Sequence, residues 1–363
     1  MKRPTKVFAR VAGLALAAAF VLSQPLWAAE MSPALKKLVA AANAEGTLNV
    51  SWGTTSIGGN KGAEAIEKAM REMWGSKVDI QYTPGPSMPR IGHQLATEFA
   101  AGQKAFTDIY FANGASMAPL LKRNMFLKVD WKALVPDRIT DEVVEQDGQL
   151  VRIYSGMSGV TYNTRLAPMK PTTLGDFLKP EWTGKIASTP YAAGFDTISS
   201  TAIWGPEKTL DYVRKLSGQI TGLIRCSELE RIASGEFLAL VMDCSGQSAF
   251  IWKEKGAPID QMIPRDAAQI RYYYMMLPKN TAHPNAAKLM AAFMSTAKAQ
   301  EILWNSDRTD LHIYPGSRIA KKVNELRSQG VKLTDVSTDW ILAHPETIKA
   351  KRAAIKILTS KRK

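Results

Sequence analysis

LVRIYSGMSGVTYNT, Leu150–Thr164, decides how this chain is organised. It begins with alternating apolar residues, Leu150 and Ile153, and breaks into small ones at Ser155, Gly156, Ser158 and Gly159. It then resumes as Val160, Thr161, Tyr162 and Asn163. A strand interrupted by a Ser/Gly patch allows another backbone, a hinge or a ligand to approach closely. The reading adopted is that the chain leaves one lobe here and enters a second, with the patch on the floor of a cleft between them. An ordinary core strand with a bulge is the alternative.

Size and charge fit two lobes. Lys2, Arg3, Lys6 and Arg10 precede the apolar run Val11–Leu22, which is too short to span a bilayer, and Leu26-Trp27-Ala28-Ala29 offers small residues for cleavage after Ala28. Residues 1–28 are therefore expected to be a signal peptide, leaving a mature, soluble protein outside the cytoplasm. Without a cysteine before Cys226, no lipid anchor is expected on the mature N-terminus. The remaining chain, about 335 residues, is too long for one core. At 45% hydrophobic and 22% charged it is globular in composition. The formal charge of +14 suggests nucleic acid, but it is terminal: the leader carries +4, and residues 346–363 carry seven Lys/Arg against Glu346. No basic stripe is interleaved with aromatics, so nucleic acid is not an expected partner.

Outward from the central stretch, strands and helices alternate. Ser32–Glu45 has one apolar helical face and stops at Gly46; Thr47–Trp52 alternates as a strand, then GTTSIGGNKG leads into a helix over Ala63–Trp74. A Gly/Ser/Thr loop between strand and helix can cradle an anion through free amide N–H groups, though a plain turn reads the same way. Lys77–Tyr82 and Thr107–Ala112 are further strands, with a helix carrying Ile91, Leu95 and Phe99 between them. The pattern restarts with strands at Lys185–Thr189, Glu236–Met242 and Arg271–Leu277, and His283-Pro284 starts a long helix. Such alternation implies mostly parallel sheets, whose ligands sit at the strands' C-terminal ends.

Six phrases, AANAEGTLNVSW (41–52), TDIYFAN (107–113), GVTYNTRL (159–166), PTTLGDFLKPEWTGKIASTP (171–190), ASGEFLALVMD (233–243) and MLPKNTAHPNAAKLMAAFMSTAKAQEILW (276–304), stand in one order. In that order the sequence resembles the extracellular solute-binding proteins of ABC importers, in the cluster that binds ferric iron, thiamine, polyamines and phosphonates. The resemblance implies an α/β, two-lobed hinged periplasmic binding protein fold of type II, each lobe a mixed, mostly parallel sheet flanked by helices. It implies a small-molecule solute, permease subunits in the inner membrane as partners, no cofactor and a monomer. Lobe one is expected over 30–154 and 275–345, lobe two over 155–274, with 346–363 a basic C-terminal helix or tail. Iron-binding members place a tyrosine pair just after the strand that follows the "GE" phrase. Here Asp243-Cys244-Ser245-Gly246 stands there instead, and Tyr272–Tyr274 lie in the return strand, where neighbours alternate between faces.

The loops expected at the cleft supply the candidate ligand-binding residues Trp52, Thr54, Thr55, Asn113, Ser116, Ser155, Ser158, Tyr191, Asp196, Thr197, Asp243 and Ser245. Hydroxyls and amides at helix starts suit an oxyanion and an acid opposite them suits an ammonium, so a small organic anion or zwitterion is expected. Ferric iron is the second choice and a polyamine the third. Cys226 and Cys244 end successive strands of one βαβ unit, within bridging range in an oxidising compartment; a strand between them would keep both reduced. An exported hydrolase is the alternative of another class, but Gly156-Met157-Ser158-Gly159-Val160 misses the nucleophile elbow at its last position. Ser295-Thr296-Ala297-Lys298 lacks a K-T-G partner, and His93, His283, His312 and His344 have no zinc spacing. No catalytic residue, metal or enzymatic activity is expected.

Overall fold

The structure, a computed structural model, describes residues 31–360. The leader expected over 1–28 and the final residues 361–363 lie outside that range.

Local signals explain the first elements. The Ser32 hydroxyl accepts the Leu35 N–H at 3.1 Å and starts the helix Pro33–Glu45, which buries Leu35, Leu38, Val39 and Ala42 before Gly46 ends it. Strand Thr47–Trp52 pairs in parallel with Asp79–Pro84. An isolated bridge from Val50 to Ile109 joins this pair to a second group of strands. At the centre of that group is Gln269–Met276, antiparallel to both Leu150–Gly156 and Tyr110–Asn113 and parallel to Thr334–Val336. All eight residues of this central strand are buried.

A second sheet is built wholly from later segments, in the order Ile259–Met262, Val160–Asn163, Ala239–Val241, Ile186–Ser188, Ile220–Leu223. Each sheet is mixed: pairs bridged by a helical crossover are parallel, and pairs involving the strands near the crossing points are antiparallel. The cores are separate. Trp52, Phe111, Tyr154 and Phe293 belong to one, and Phe177, Trp182, Phe195 and Val241 to the other.

The chain passes between the sheets at 157–159, and returns at 263–268. The Ser/Gly patch is explained by close approach: a Cβ on Gly156 would lie 2.6 Å from the Ser245 Cβ, and one on Gly159 would lie 2.3 Å from the Met262 carbonyl oxygen. A third passage, at His344-Pro345, is absent from the sequence expectations. It leads into helix Glu346–Ser360, which packs on Pro206–Gln219 and Phe195–Ile198 and places Ala354 and Leu358 in the second core. Helix Pro206–Gln219 is also a finding beyond the sequence reading, although Gly205-Pro206 is a start signal and Thr209, Tyr212, Val213 and Leu216 are buried at helical spacing. Among the described residues no helix is long and apolar enough to cross a membrane.

Candidate functional site

Strand alternation sends Arg271 and Tyr273 to one face of the central strand, and Tyr272 and Tyr274 to the other. The second pair is engaged: the Tyr272 hydroxyl donates to Asp335 at 2.7 Å, and Tyr274 to Glu145 at 2.7 Å. Arg271 and Tyr273 instead meet the crossing segments. Arg271 is 8% exposed and donates from Nη1 to the Ser158 hydroxyl at 3.1 Å, while Nη2 lies 3.8 Å from Asp196 Oδ2. Ser158 in turn donates to the Cys244 carbonyl at 2.9 Å.

Asp196 serves two cations. Lys351, from the terminal helix, donates to Oδ2 at 2.8 Å, and the Thr197 N–H donates to Oδ1 at 3.0 Å. Burial alone would raise this carboxyl, yet the charges of Lys351 and Arg271 hold it well below the usual carboxylate range. A cavity of about 70 Å³ opens beside the pair, lined by Ala115, Pro119, Thr197, Trp340 and Lys351 among others. It lies between helices Gly114–Leu121 and Thr338–Ala343 on one side and Phe195–Ile198 and Glu346–Ser360 on the other.

Tyr273 stacks on Tyr154, with ring centroids 4.4 Å apart. Burial raises the Tyr273 hydroxyl, against the pull of Arg271 and a hydrogen bond with Ser245. Burial also raises Tyr154, and the charges of Tyr273 and Asp307 add to this; Gln247 hydrogen-bonds its hydroxyl. Asp307 ends the helix Ala297–Asp307, and burial pushes its carboxyl up to about 6.

The structure thus gathers Ser158, Asp196, Thr197 and Ser245 around Arg271 and Tyr273. The other candidates sit elsewhere or are engaged. Asn113 Oδ1 accepts the N–H and hydroxyl of Ser116, so that loop caps its own helix. Ser155 is fully buried; its hydroxyl lies 2.8 Å from His312 Nδ1 and accepts the His312 N–H. Asp243 staples the end of the first crossing: Oδ1 accepts the Gly159 N–H, Oδ2 accepts the Thr161 hydroxyl, and Gln261 bonds both oxygens. Burial raises its carboxyl against these bonds. Trp52 is buried against Tyr82 with its indole N–H unpartnered, whereas Thr54 and Thr55 are exposed. Tyr191 presents a ring 37% exposed, and its hydroxyl accepts the Cys226 N–H at 3.0 Å. Beneath it the sulfurs of Cys226 and Cys244 are bonded, with Cα atoms 6.0 Å apart, even though strand Ile186–Ser188 separates the two strands that precede them, the arrangement expected to keep both reduced.

Arg271, Tyr273, Tyr154, Gln247, Asp307 and Lys351 are functional candidates beyond the sequence expectations. Alternation in RYYYMM carries a signal for the first two. Lys351 carries none, being 155 residues from its partner.

The chain matches the model of one protein family, described as bacterial extracellular solute-binding protein, over residues 105–341. No curated protein matches its sequence. Among solved structures, the substrate binding protein of the ABC transporter from Agrobacterium tumefaciens is 16% identical, with 92% of this chain and 98% of that one covered at a TM-score of 0.69. Iron-bound HitA from Pseudomonas aeruginosa is 16% identical, covering 85% and 99% at a TM-score of 0.65. The periplasmic binding protein AfuA from Actinobacillus pleuropneumoniae, with fructose-6-phosphate bound, is 17% identical, covering 73% and 84% at a TM-score of 0.60. These likenesses show the fold: two-lobed, type II.

Proposed function

This chain belongs to the bacterial extracellular solute-binding protein family, the solute-binding components of ABC importers, and from that premise we propose that it traps a small organic anion or zwitterion between its lobes. The solute is then handed to permease subunits in the inner membrane by a monomeric, periplasmic carrier. The first lobe runs over about 31–156 with 269–343 and the second over about 160–262, with helix Glu346–Ser360 added to the second; the expected bound at 274 moves back because strand Gln269–Met276 pairs with Leu150–Gly156 and Tyr110–Asn113. Closure turns on the short crossings at 157–159, 263–268 and 344–345, where a few backbone rotations move a whole lobe.

The observation that carries the reading is Arg271. Two cations, Arg271 and Lys351, converge on the single carboxylate of Asp196 at the floor of the site. An incoming carboxylate or phosphorus oxyanion offsets the excess charge and takes hydrogen bonds from a guanidinium and neighbouring hydroxyls in low dielectric. Ferric iron, which HitA carries, draws less support: Tyr272 and Tyr274 are committed to Asp335 and Glu145 on the opposite strand face.

Binding without turnover also fits the polar groups. Ser155 and His312 touch, but the serine is fully buried, and burial lowers the imidazole to about 4, which makes it a weak general base. Ser295 donates to the Ala292 carbonyl, and Lys298 pairs with Glu301.

The test is native mass spectrometry of the protein as purified, then a thermal-shift screen of organic acids, phosphonates, polyamines and chelated iron. A hundredfold excess over Kd stabilises by about 2.7 kcal/mol. Stabilisation by iron alone, or turnover of a chromogenic ester, refutes the reading.

A further inference from the structure

Asp307 differs from the other buried carboxylates. Glu145 is paired with Arg152, Asp196 with Lys351, and Asp108 meets His283 and Thr281. Asp310 accepts a hydroxyl from Ser317 and an N–H from Arg318, and Asp243 has the donors described above. Asp307 is only 6% exposed, and no ion pair of its own is found among the described residues. Its Oδ1 accepts the Gly58 N–H at 3.1 Å, the Ile57 N–H also approaches the carboxylate, and Oδ2 is buried with no partner in hydrogen-bonding geometry. The neighbouring Arg308 turns away, to Glu254 and to the carbonyls of Trp304 and Asn305. A buried carboxylate oxygen without a donor is costly to keep, so its retention points to a donor that arrives from outside.

Its position says where. Gly58 lies in the loop after strand Thr47–Trp52, at the N-terminus of helix Gly59–Trp74. Tyr154 feels the charge of Asp307 and stacks on Tyr273, which shares a strand face with Arg271. The stacked tyrosines therefore lie within electrostatic reach of both the Asp307 carboxylate and the Arg271 guanidinium. Gln247 hydrogen-bonds the Tyr154 hydroxyl, and its Oε1 accepts from Ser245.

Resting on the reading of Arg271 as the oxyanion anchor, we propose that Asp307 Oδ2 receives a cationic group of the solute, so that the cargo is a zwitterion: a primary ammonium joined by a short chain to a carboxylate or phosphate. Asp196 and Asp243, the acids expected from sequence to meet an ammonium, are already engaged by protein donors. An ammonium supplies several donors and offsets the buried charge of Asp307.

Paired probes that differ in the ammonium alone test this: β-alanine and γ-aminobutyrate against propionate and butyrate, and phosphoethanolamine against ethyl phosphate. Affinities are measured by calorimetry on the full mature chain and on Asp307→Asn. Asparagine keeps an Oδ1 acceptor for the Gly58 N–H, so a merely structural Asp307 leaves binding unchanged. The expected result is that at least one amino probe binds wild type about tenfold or more tightly than its deaminated partner, and that this preference disappears in the variant. The wild-type comparison stands even if the variant fails to fold. Equal affinity within every pair, or a preference that survives Asp307→Asn, overturns the Asp307 assignment and leaves the oxyanion anchor standing. Failure of both series to bind overturns the two together.

Discussion

Replacing Asp307 by Asn should stabilise the protein at neutral pH while it removes the cationic subsite. Burial raises the carboxyl from 3.8 to about 6, so the folded state holds a proton that the unfolded chain gives up. The stability linked to that proton is complete below about pH 3.8 and lost as pH rises through about 6. The full difference corresponds to at most about 3 kcal/mol at neutral pH. Asparagine does not titrate, and its added N–H₂ needs a partner where Oδ2 has none, a penalty of about 1 kcal/mol or more. The net gain for the variant at pH 7 is then about 1–2 kcal/mol, and it should vanish or reverse near pH 4. Urea denaturation of both proteins from pH 4 to 8 measures this, since groups common to the two cancel in the difference. A difference that is flat with pH, or that favours wild type more as pH rises, refutes the reasoning. The expected trade, more stability and less binding, is that of a residue retained for function.

Four further outcomes follow from other contacts. His312 is lowered to about 4 by burial, so its contribution is complete above pH 6.5 and lost as pH falls towards 4; His312→Gln should remove at most about 3 kcal/mol of acid sensitivity, read from the same titration. Arg271→Gln should weaken oxyanion binding by about a hundredfold or more in calorimetry, yet still fold because Asp196 keeps Lys351; unchanged affinity would remove the anchor. Replacing both Cys226 and Cys244 by Ser opens a loop with a sequence separation of 18 and should cost about 3 kcal/mol in denaturant, while two free thiols titrated in the denatured, unreduced protein would contradict the bond itself. Ending the chain at Pro345 removes buried Ala354 and Leu358 together with Lys351, and the melting temperature should fall by several degrees; an unchanged melt would mean that the terminal helix is not part of the second core.

The sequence by itself determined what depends on near neighbours. Ser32 and Gly46 bound the first helix, and the small residues at 155–159 mark where another segment must approach closely. These are short-range steric and hydrogen-bonding facts, so periodicity and turn chemistry report them. The ordered family phrases extended that reading to the whole architecture. Which polar groups face the solute was decided only by tertiary structure, because a hydroxyl or carboxylate is available only if no distant group claims it. Asp243 is claimed by Thr161, 82 residues away, and Ser155 by His312, 157 away. Arg271 reaches Ser158 across 113 positions, Lys351 reaches Asp196 across 155, and Asp307 meets Gly58 across 249 with one oxygen left over. No local pattern encodes such pairings; they exist only once the two sheets have folded and the chain has crossed between them.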